Sequence, residues 1–192
     1  MNLIIDIIPC LSDNYAYIIY DNSSKKVGVI DPSNFDEVND VLKKKYNKLD
    51  YIMNTHHHMD HTGGNKELKK KYNAKIVAFS GDSNRIEEID IKVNDNDNFN
   101  FGNIEFKIIK VPGHTSGHIS FYSKNEKTIF TGDTLFSYGC GRVFEGTYLD
   151  MFSSLKKIKS LPQDTRIYFG HEYTKKNIEF CLSIEPNNVF LK

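Results

Sequence analysis

Four of the chain's seven histidines fall within one short run, THHHMDH at 55–61. Neutral imidazole is the commonest protein metal ligand, so a run this dense, with a carboxylate inside it, reads first as a metal centre. A histidine-rich exposed loop is the plainer alternative for any lone His-x-His. An expression tag is excluded, because the run is internal. The remaining histidines decide. His114 and His118 sit in VPGHTSGH, His171 in YFGHEYT, and Asp133 in FTGDT. Each segment adjoins a predicted strand, so four separate loops offer His or Asp at a strand's end. Only a scaffold that gathers strand ends at one edge can make them converge, as short loops on an α/β framework do.

The hydrophobic pattern supplies such a scaffold. LIIDIIP, YAYIIYD and KKVGVID are rich in Ile, Val and Tyr and read as strands separated by turn residues. Phe35, Val38, Val41, Leu42 and Tyr46 recur at helical spacing, with Ser33 or Asn34 available as cap. The KKK run at 43–45 suits a solvated helix end. YIMN is a short buried strand that delivers the chain into THHHMDH, and Gly63 and Gly64 precede a helix through Leu68 and Tyr72. AKIVAF reads as a strand, NDNDNFNFGN (94–103) as a turn region, and IEFKIIKV, HISFYS and KTIFTGD as three more strands. Thr147 with Asp150 offers a capping box for a helix that turns Met151, Phe152, Leu155 and Ile158 to the core. TRIYFG is a last strand, and Ile178, Cys181 and Leu182 mark a last helix. Strand groups at both ends, each followed by helices, predict two packed sheets with helices outside, ahead of an ordinary doubly wound fold. The 192 residues suit a single domain, 1–192.

Charge and cysteine content narrow the partners. Lys plus Arg and Asp plus Glu balance at 25 each, leaving no electrostatic footprint for nucleic acid or an anionic membrane. Cys10, Cys140 and Cys181 are widely spaced and odd in number, which suggests neither a disulfide framework nor a thiolate zinc site. No apolar run is long enough to span a membrane, and MNLIIDIIPC lacks the basic start and cleavage site of a signal peptide. A soluble cytoplasmic protein is expected, as a monomer or weak homo-oligomer.

In this order, THHHMDH, PGHTSGH, TGDT and GHEYT resemble the metal-binding motifs of the metallo-β-lactamase fold superfamily. DNYAYII, GDTLFSYGCGRVFEGT at 132–147 and GHEYTKKNIEFCLSIEPNN at 170–188 are similar to glyoxalase II, the hydroxyacylglutathione hydrolase family. The resemblance covers almost the whole chain. It implies an α/β fold, an αββα sandwich of two mixed β-sheets with helices on the outer faces. It also implies a two-metal centre: His56, His58 and His114 hold one ion, Asp60, His61 and His171 the other, and Asp133 bridges them. Residues 56 and 58 can point the same way in an extended segment, while 60 and 61 reach a second centre as the chain turns into its helix. Such nitrogen- and oxygen-rich sites suit two divalent ions, with zinc foremost and iron or manganese as alternatives.

Other residues near these motifs receive plainer expectations. His57 lies between two ligand positions and is expected to point away. His118 begins a strand and is expected to orient a ligand rather than be one. Cys140, flanked by glycines, reads as a small turn residue near the pocket, since no nucleophile motif surrounds it. Thr55, Asp31 and Ser33 read as ordinary turn and cap residues.

Two cations flanking a water lower its pKa, to roughly 7 with a single zinc, so a bridging hydroxide is available at neutral pH. It can attack a metal-polarised carbonyl with Asp60 and Asp133 as the catalytic carboxylates and without an acyl-enzyme. The resemblance supplies the substrate: an S-(2-hydroxyacyl)glutathione, typically S-lactoylglutathione, cleaved to D-lactate and glutathione in methylglyoxal detoxification. Arg142 stands where the family carries a basic residue that meets the glutathione moiety. Phe144 falls where some members have tyrosine, and Tyr173 matches a substrate-contacting tyrosine. Family members usually continue past the EPNN region into a C-terminal helical segment with further basic groups. This chain stops at VFLK, so that segment is expected to be largely absent, with weaker and less selective substrate binding. Two alternatives remain. A persulfide dioxygenase-like enzyme with one iron typically has a different run after GCGR, and VFEGT favours the hydrolase. A non-catalytic metal- or thioester-binding protein is disfavoured by the presence of all seven ligand positions.

Overall fold

The computed structural model describes residues 2–191. Strands β1 (Leu3–Cys10), β2 (Asn14–Asp21), β3 (Val27–Ile30), β4 (Tyr51–Met53), β5 (Lys75–Phe79) and β6 (Ile89–Val93) form one sheet in that order. It is antiparallel as far as β3 and parallel from β3 to β6. The second sheet runs antiparallel through β7 (Asn98–Phe101), β8 (Ile104–Lys110), β9 (Ile119–Ser123) and β10 (Thr128–Gly132). A short hairpin, β11 (Leu135–Phe136) and β12 (Gly139–Cys140), follows, and β13 (Arg166–Phe169) then joins parallel to β10. The helices are α1 (Asp36–Lys45), α2 (Met59–Thr62), α3 (Asn65–Tyr72), α4 (Tyr148–Lys159) and α5 (Thr174–Ile184). Both sheets are mixed, as expected.

Alternation along the strands builds four layers. On β2, Tyr17 and Ile19 enter the space between the sheets, while Ala16 and Ile18 face the other way. The inter-sheet layer is strongly aromatic on its second-sheet side, with Phe99, Phe101, Phe106, Phe121 and Phe130 all buried. Truncating one of these rings to alanine should cost about 3–5 kcal/mol. Val38 and Leu42 of α1 and Leu68 of α3 cover the outer face of the first sheet. Ile158 of α4 covers Tyr122 and Ile129 on the outer face of the second. The arrangement is an αββα sandwich.

Several local expectations change. Asn98–Phe101, expected as part of a turn region, is strand β7, with Phe99 and Phe101 inward and both asparagines exposed. Its Asn-Phe-Asn-Phe pattern has the period of a half-buried strand, hidden by polar composition. Neither Ser33 nor Asn34 caps α1, whose N-cap is Phe35 without a side-chain bond. The carbonyls of residues 32–34 instead pack against Gly63 and Gly64, which fixes that segment from its backbone. The Thr147–Asp150 capping box is present. Within α4, Met151 and Ile158 are buried, but Phe152 is exposed and Ser154 takes the inward place, donating to the Pro112 carbonyl at 2.7 Å. No residue of α5 is fully buried.

Candidate metal centre and substrate cleft

Strand ends gather along one edge of the sandwich. β4 leads into His56 and His58, the single turn of α2 lifts Asp60 and His61, and the β8–β9 connection carries His114. β10 and β13 lead into Asp133 and His171. His58 Nδ1 lies 3.2 Å from His56 Nε2 and 3.0 Å from His114 Nε2. His61 Nε2 lies 3.3 Å from His171 Nε2 and 3.5 Å from Asp60 Oδ2, and the last two atoms are 3.3 Å apart. Asp133 stands between the two sets: Oδ2 is 3.4 Å from His114 Nε2 and 3.2 Å from His171 Nε2, and Oδ1 is 3.3 Å from His61 Nε2. Donors about 2.0–2.1 Å from one zinc lie roughly 3.0–3.4 Å from each other, so the spacings fit two ions that share Asp133.

The outer nitrogens decide what the inner ones can do. His114 Nδ1 donates to the Arg142 carbonyl at 2.7 Å, which can only accept. His61 Nδ1 faces Asp31 Oδ2 at 3.1 Å, and His171 Nδ1 faces Asp13 Oδ1 at 2.9 Å. Thr55 Oγ1 donates to Asp31 Oδ2 at 2.6 Å and so receives the His56 Nδ1 proton at 3.0 Å. In the neutral rings all four Nε2 atoms are therefore lone pairs; those of His56 and His114 face His58 Nδ1, and those of His61 and His171 face each other. Asp133 Oδ1 is buried and accepts no hydrogen bond. Lone pairs and an orphaned carboxylate oxygen at these distances repel unless a proton or a metal cation lies among them. The donor set fits a metal.

Electrostatics agree. Burial lowers the pKa of His56, His58 and His114, which keeps them neutral. Burial alone would also lower His61, but Asp133 and Asp31 raise it well above the ordinary histidine value. For His171, burial is outweighed by Asp133, Asp60 and Asp13, which lift it to about 10. The hydrogen bond from His171 holds Asp60 well below the carboxylate range, and Asn14 adds to this by donating to Asp60 Oδ2 at 2.9 Å. Asp133 is held low against its burial by His61 and His171. Anionic carboxylates surround rings that a proton or a cation can satisfy.

The sequence profile of the Metallo-beta-lactamase superfamily matches residues 12–171. A hydroxyacylglutathione hydrolase of Pelagibacter ubique is 55% identical over 188 residues, covering 98% of this chain and 79% of that protein. One from Brucella anthropi is 47% identical over 183 residues, covering 95% of this chain and 70% of that protein. The chain belongs to the metallo-beta-lactamase superfamily and, within it, to the hydroxyacylglutathione hydrolase family. The fold of the BLEG-1 B3 metallo-beta-lactamase superposes with a TM-score of 0.80 at 23% identity, over 88% of this chain and 92% of that one. A divalent metal is the cofactor that this family and this donor set call for.

The centre of this metallo-beta-lactamase superfamily member opens into a cleft of about 610 Å³. Arg142, Phe144, Tyr173 and Cys140 line it beside His58, His114, Asp60, Asp133 and His171. The Arg142 guanidinium lies 5.7 Å from the Phe144 ring centre, and the Phe144 ring lies 5.3 Å from that of His114. Tyr173 stacks on His171 with ring centres 5.0 Å apart. His57 points away from the centre, toward Glu145 and Asp82. His118 is no part of either donor set; its Nε2 accepts the Asp133 N–H at 3.1 Å, and burial pushes its pKa down to about 3.

Asp31 and Thr55 are not the ordinary turn residues that the sequence suggests. Each orients a ring of the centre, because the chain after β3 lies beside the chain after β4. Asp13, in the turn before β2, and Asn14, the first residue of β2, orient His171 and Asp60, and sequence reasoning missed both. The DNY tripeptide is their only local signal. Gly170 is required by close approach: a side-chain carbon there would collide with Asp133 Oδ1.

Proposed function

We propose that this chain is a metal-dependent thioester hydrolase that cleaves S-(2-hydroxyacyl)glutathione, typically S-lactoylglutathione, to a 2-hydroxy acid and glutathione. His56, His58 and His114 would hold one divalent ion, Asp60, His61 and His171 a second, with Asp133 shared and zinc foremost. The observation that carries this reading is the position of Asp133 Oδ2 between the two donor sets, beside a cleft lined by the Arg142 side chain. Bound there, divalent ions supply Lewis acidity and bring the pKa of water toward neutrality. Relatives named for this reaction cover nearly the whole chain at 45–55% identity.

The chain's own groups set up the attack. Asp60 stays ionised, and Asn14 fixes its Oδ2, so it presents a steady acceptor to a water in the cleft. Arg142 offers a guanidinium to a glutathione carboxylate, and Phe144 and Tyr173 provide apolar walls for the thioester. Thiolate leaves readily, so no strong general acid is needed. Three free cysteines suit the reducing cytoplasm where glutathione is abundant. Among the described residues no helix is long and apolar enough to cross a membrane.

Metal analysis of purified protein, with a S-lactoylglutathione assay, tests the reading. Close to two metal equivalents and thioester cleavage are expected. Arg142→Ala should raise KM by roughly 10- to 150-fold, the scale of one lost hydrogen bond to a charged group, with a smaller loss in kcat. Oxygen uptake with glutathione persulfide in place of hydrolysis would select the dioxygenase alternative.

A further inference from the structure

The segment 141–147 carries Arg142 and Phe144, yet it has no regular structure of its own, since β12 ends at Cys140 and α4 begins at Tyr148. Its shape is imposed by neighbouring segments. Phe144 N–H donates to the His114 carbonyl at 3.3 Å and Gly146 N–H to the Gly113 carbonyl at 3.2 Å. The two glycines touch backbone to backbone: a side-chain carbon on Gly146 would lie 2.8 Å from Gly113 Cα. Both hydrogen bonds are long. The tighter anchor is Glu145. Its carboxylate accepts from Arg85 Nη1 at 2.8 Å on both oxygens, from Ser116 N–H at 2.8 Å and from Ser116 Oγ at 2.9 Å.

Arg85 is itself held in place. Its Nη2 donates to Asp82, a fully buried carboxylate, and to Ser116 Oγ at 3.2 Å. The chain has 25 basic residues, of which three are arginines, and the site of this network is one of those three. A guanidinium presents several donors in a fixed fork, so one side chain can engage Glu145, Asp82 and Ser116 together; a lysine cannot match that geometry. Isolated surface ion pairs contribute little. This pair differs, because both side chains are about 30% exposed and four hydrogen bonds from Arg85 and Ser116 converge on the Glu145 carboxylate. The network joins the turn after β5, the loop of His114 and the loop of Arg142. It also bears on the centre, since the Arg142 carbonyl accepts the His114 Nδ1 proton.

We propose that Arg85, acting through Glu145, is a positioning residue that clamps segment 141–147 so that Arg142 and Phe144 face the cleft. The kinetic consequence rests on the hydrolase reading; the conformational consequence does not. Two variants of the full chain test it, Arg85→Met and Glu145→Gln. The first also strips the buried Asp82 of its partner, so the second, which leaves that pair intact, guards against simple unfolding. Amide hydrogen exchange across 141–147 should quicken in both by roughly tenfold, the scale of one lost charge-assisted hydrogen bond, while β9 and β10 keep their protection. KM for S-lactoylglutathione should rise by a similar factor with kcat less affected and metal content unchanged, and Arg85→Lys should recover part of the loss. In the Glu145→Gln background, Arg85→Met should add little to the loop exchange. A wild-type chain that leaves the thioester intact defeats the substrate reading, and the exchange measurement then decides the clamp alone. Loop exchange unchanged in both variants overturns the clamp, as does a fall in thermal stability with KM unchanged on an active wild type.

Discussion

His171 Nδ1 lies 2.9 Å from Asp13 Oδ1, a partner 158 residues away along the chain. The bond assigns the proton to Nδ1 and turns Nε2 toward Asp60 and Asp133. Backbone bonds close the same junction, from Glu172 N–H to the Asp13 carbonyl and from Tyr15 N–H to the Gly170 carbonyl, both at 2.8 Å. Half of the metal centre is therefore braced by the first turn of the chain. Asp13→Ala should weaken metal binding by about 10- to 100-fold, the usual scale for losing such an orienting partner. Competition with a chelator of known affinity measures it, and metal affinity equal to the wild type would show that the bond is dispensable.

Asp133 stands between the two donor sets and faces rings of both. Its replacement by alanine should release metal from both and abolish most turnover, and strong chelation of the wild type should do the same. Metal content and thioester cleavage, measured on the same preparation, check this. A variant with wild-type metal content and rate would refute the shared-carboxylate arrangement.

Cys140 is exposed in the cleft, and burial of part of its surface raises its thiol pKa, which disfavours the thiolate. Cys140→Ser should leave the hydrolysis rate within about threefold, since a protonated thiol is a poor nucleophile. Rapid-quench mass spectrometry provides the complementary test. An acylated Cys140 on the reaction path would overturn direct hydrolysis.

Asp21 predicts an acid-sensitive contribution to stability away from the site. Burial would raise its pKa, but donors from Ser23, Ser24 and Asn103 hold it below the usual carboxylate range. The bonds tie the turn after β2 to the turn between β7 and β8, one from each sheet. Because the folded pKa is depressed, the stabilisation is fully present above the unfolded value of about 3.9 and is lost as pH falls through the folded value. Asp21→Asn should cost about 1–3 kcal/mol at pH 7, with the deficit shrinking below about pH 4. Urea unfolding of both proteins at several pH values measures it. A deficit that persists unchanged in acid would mean that shape, not charge, holds the turns together.

The sequence by itself determines the chemistry available to this protein and most of its layers. Histidine and aspartate announce metal chemistry by residue type, and the spacing of His56, His58, Asp60 and His61 follows from local strand and helix geometry alone. The Thr147–Asp150 cap is equally local, closing within three residues. What only the tertiary structure decided is which distant groups meet. Asp13, Asn14, Asp31 and Thr55 are common turn residue types, and apart from the DNY tripeptide at 13–15 nothing within a few residues of them marks them as partners of His171, Asp60, His61 and His56. Their roles depend on β3 pairing with β4 and on residue 14 bridging to residue 171. Arg85 and Glu145, 60 residues apart, meet for the same reason. Those pairings are set by burial of the aromatic layer between the sheets, a driving force that is non-directional and summed over the whole core, so no single stretch of sequence carries it.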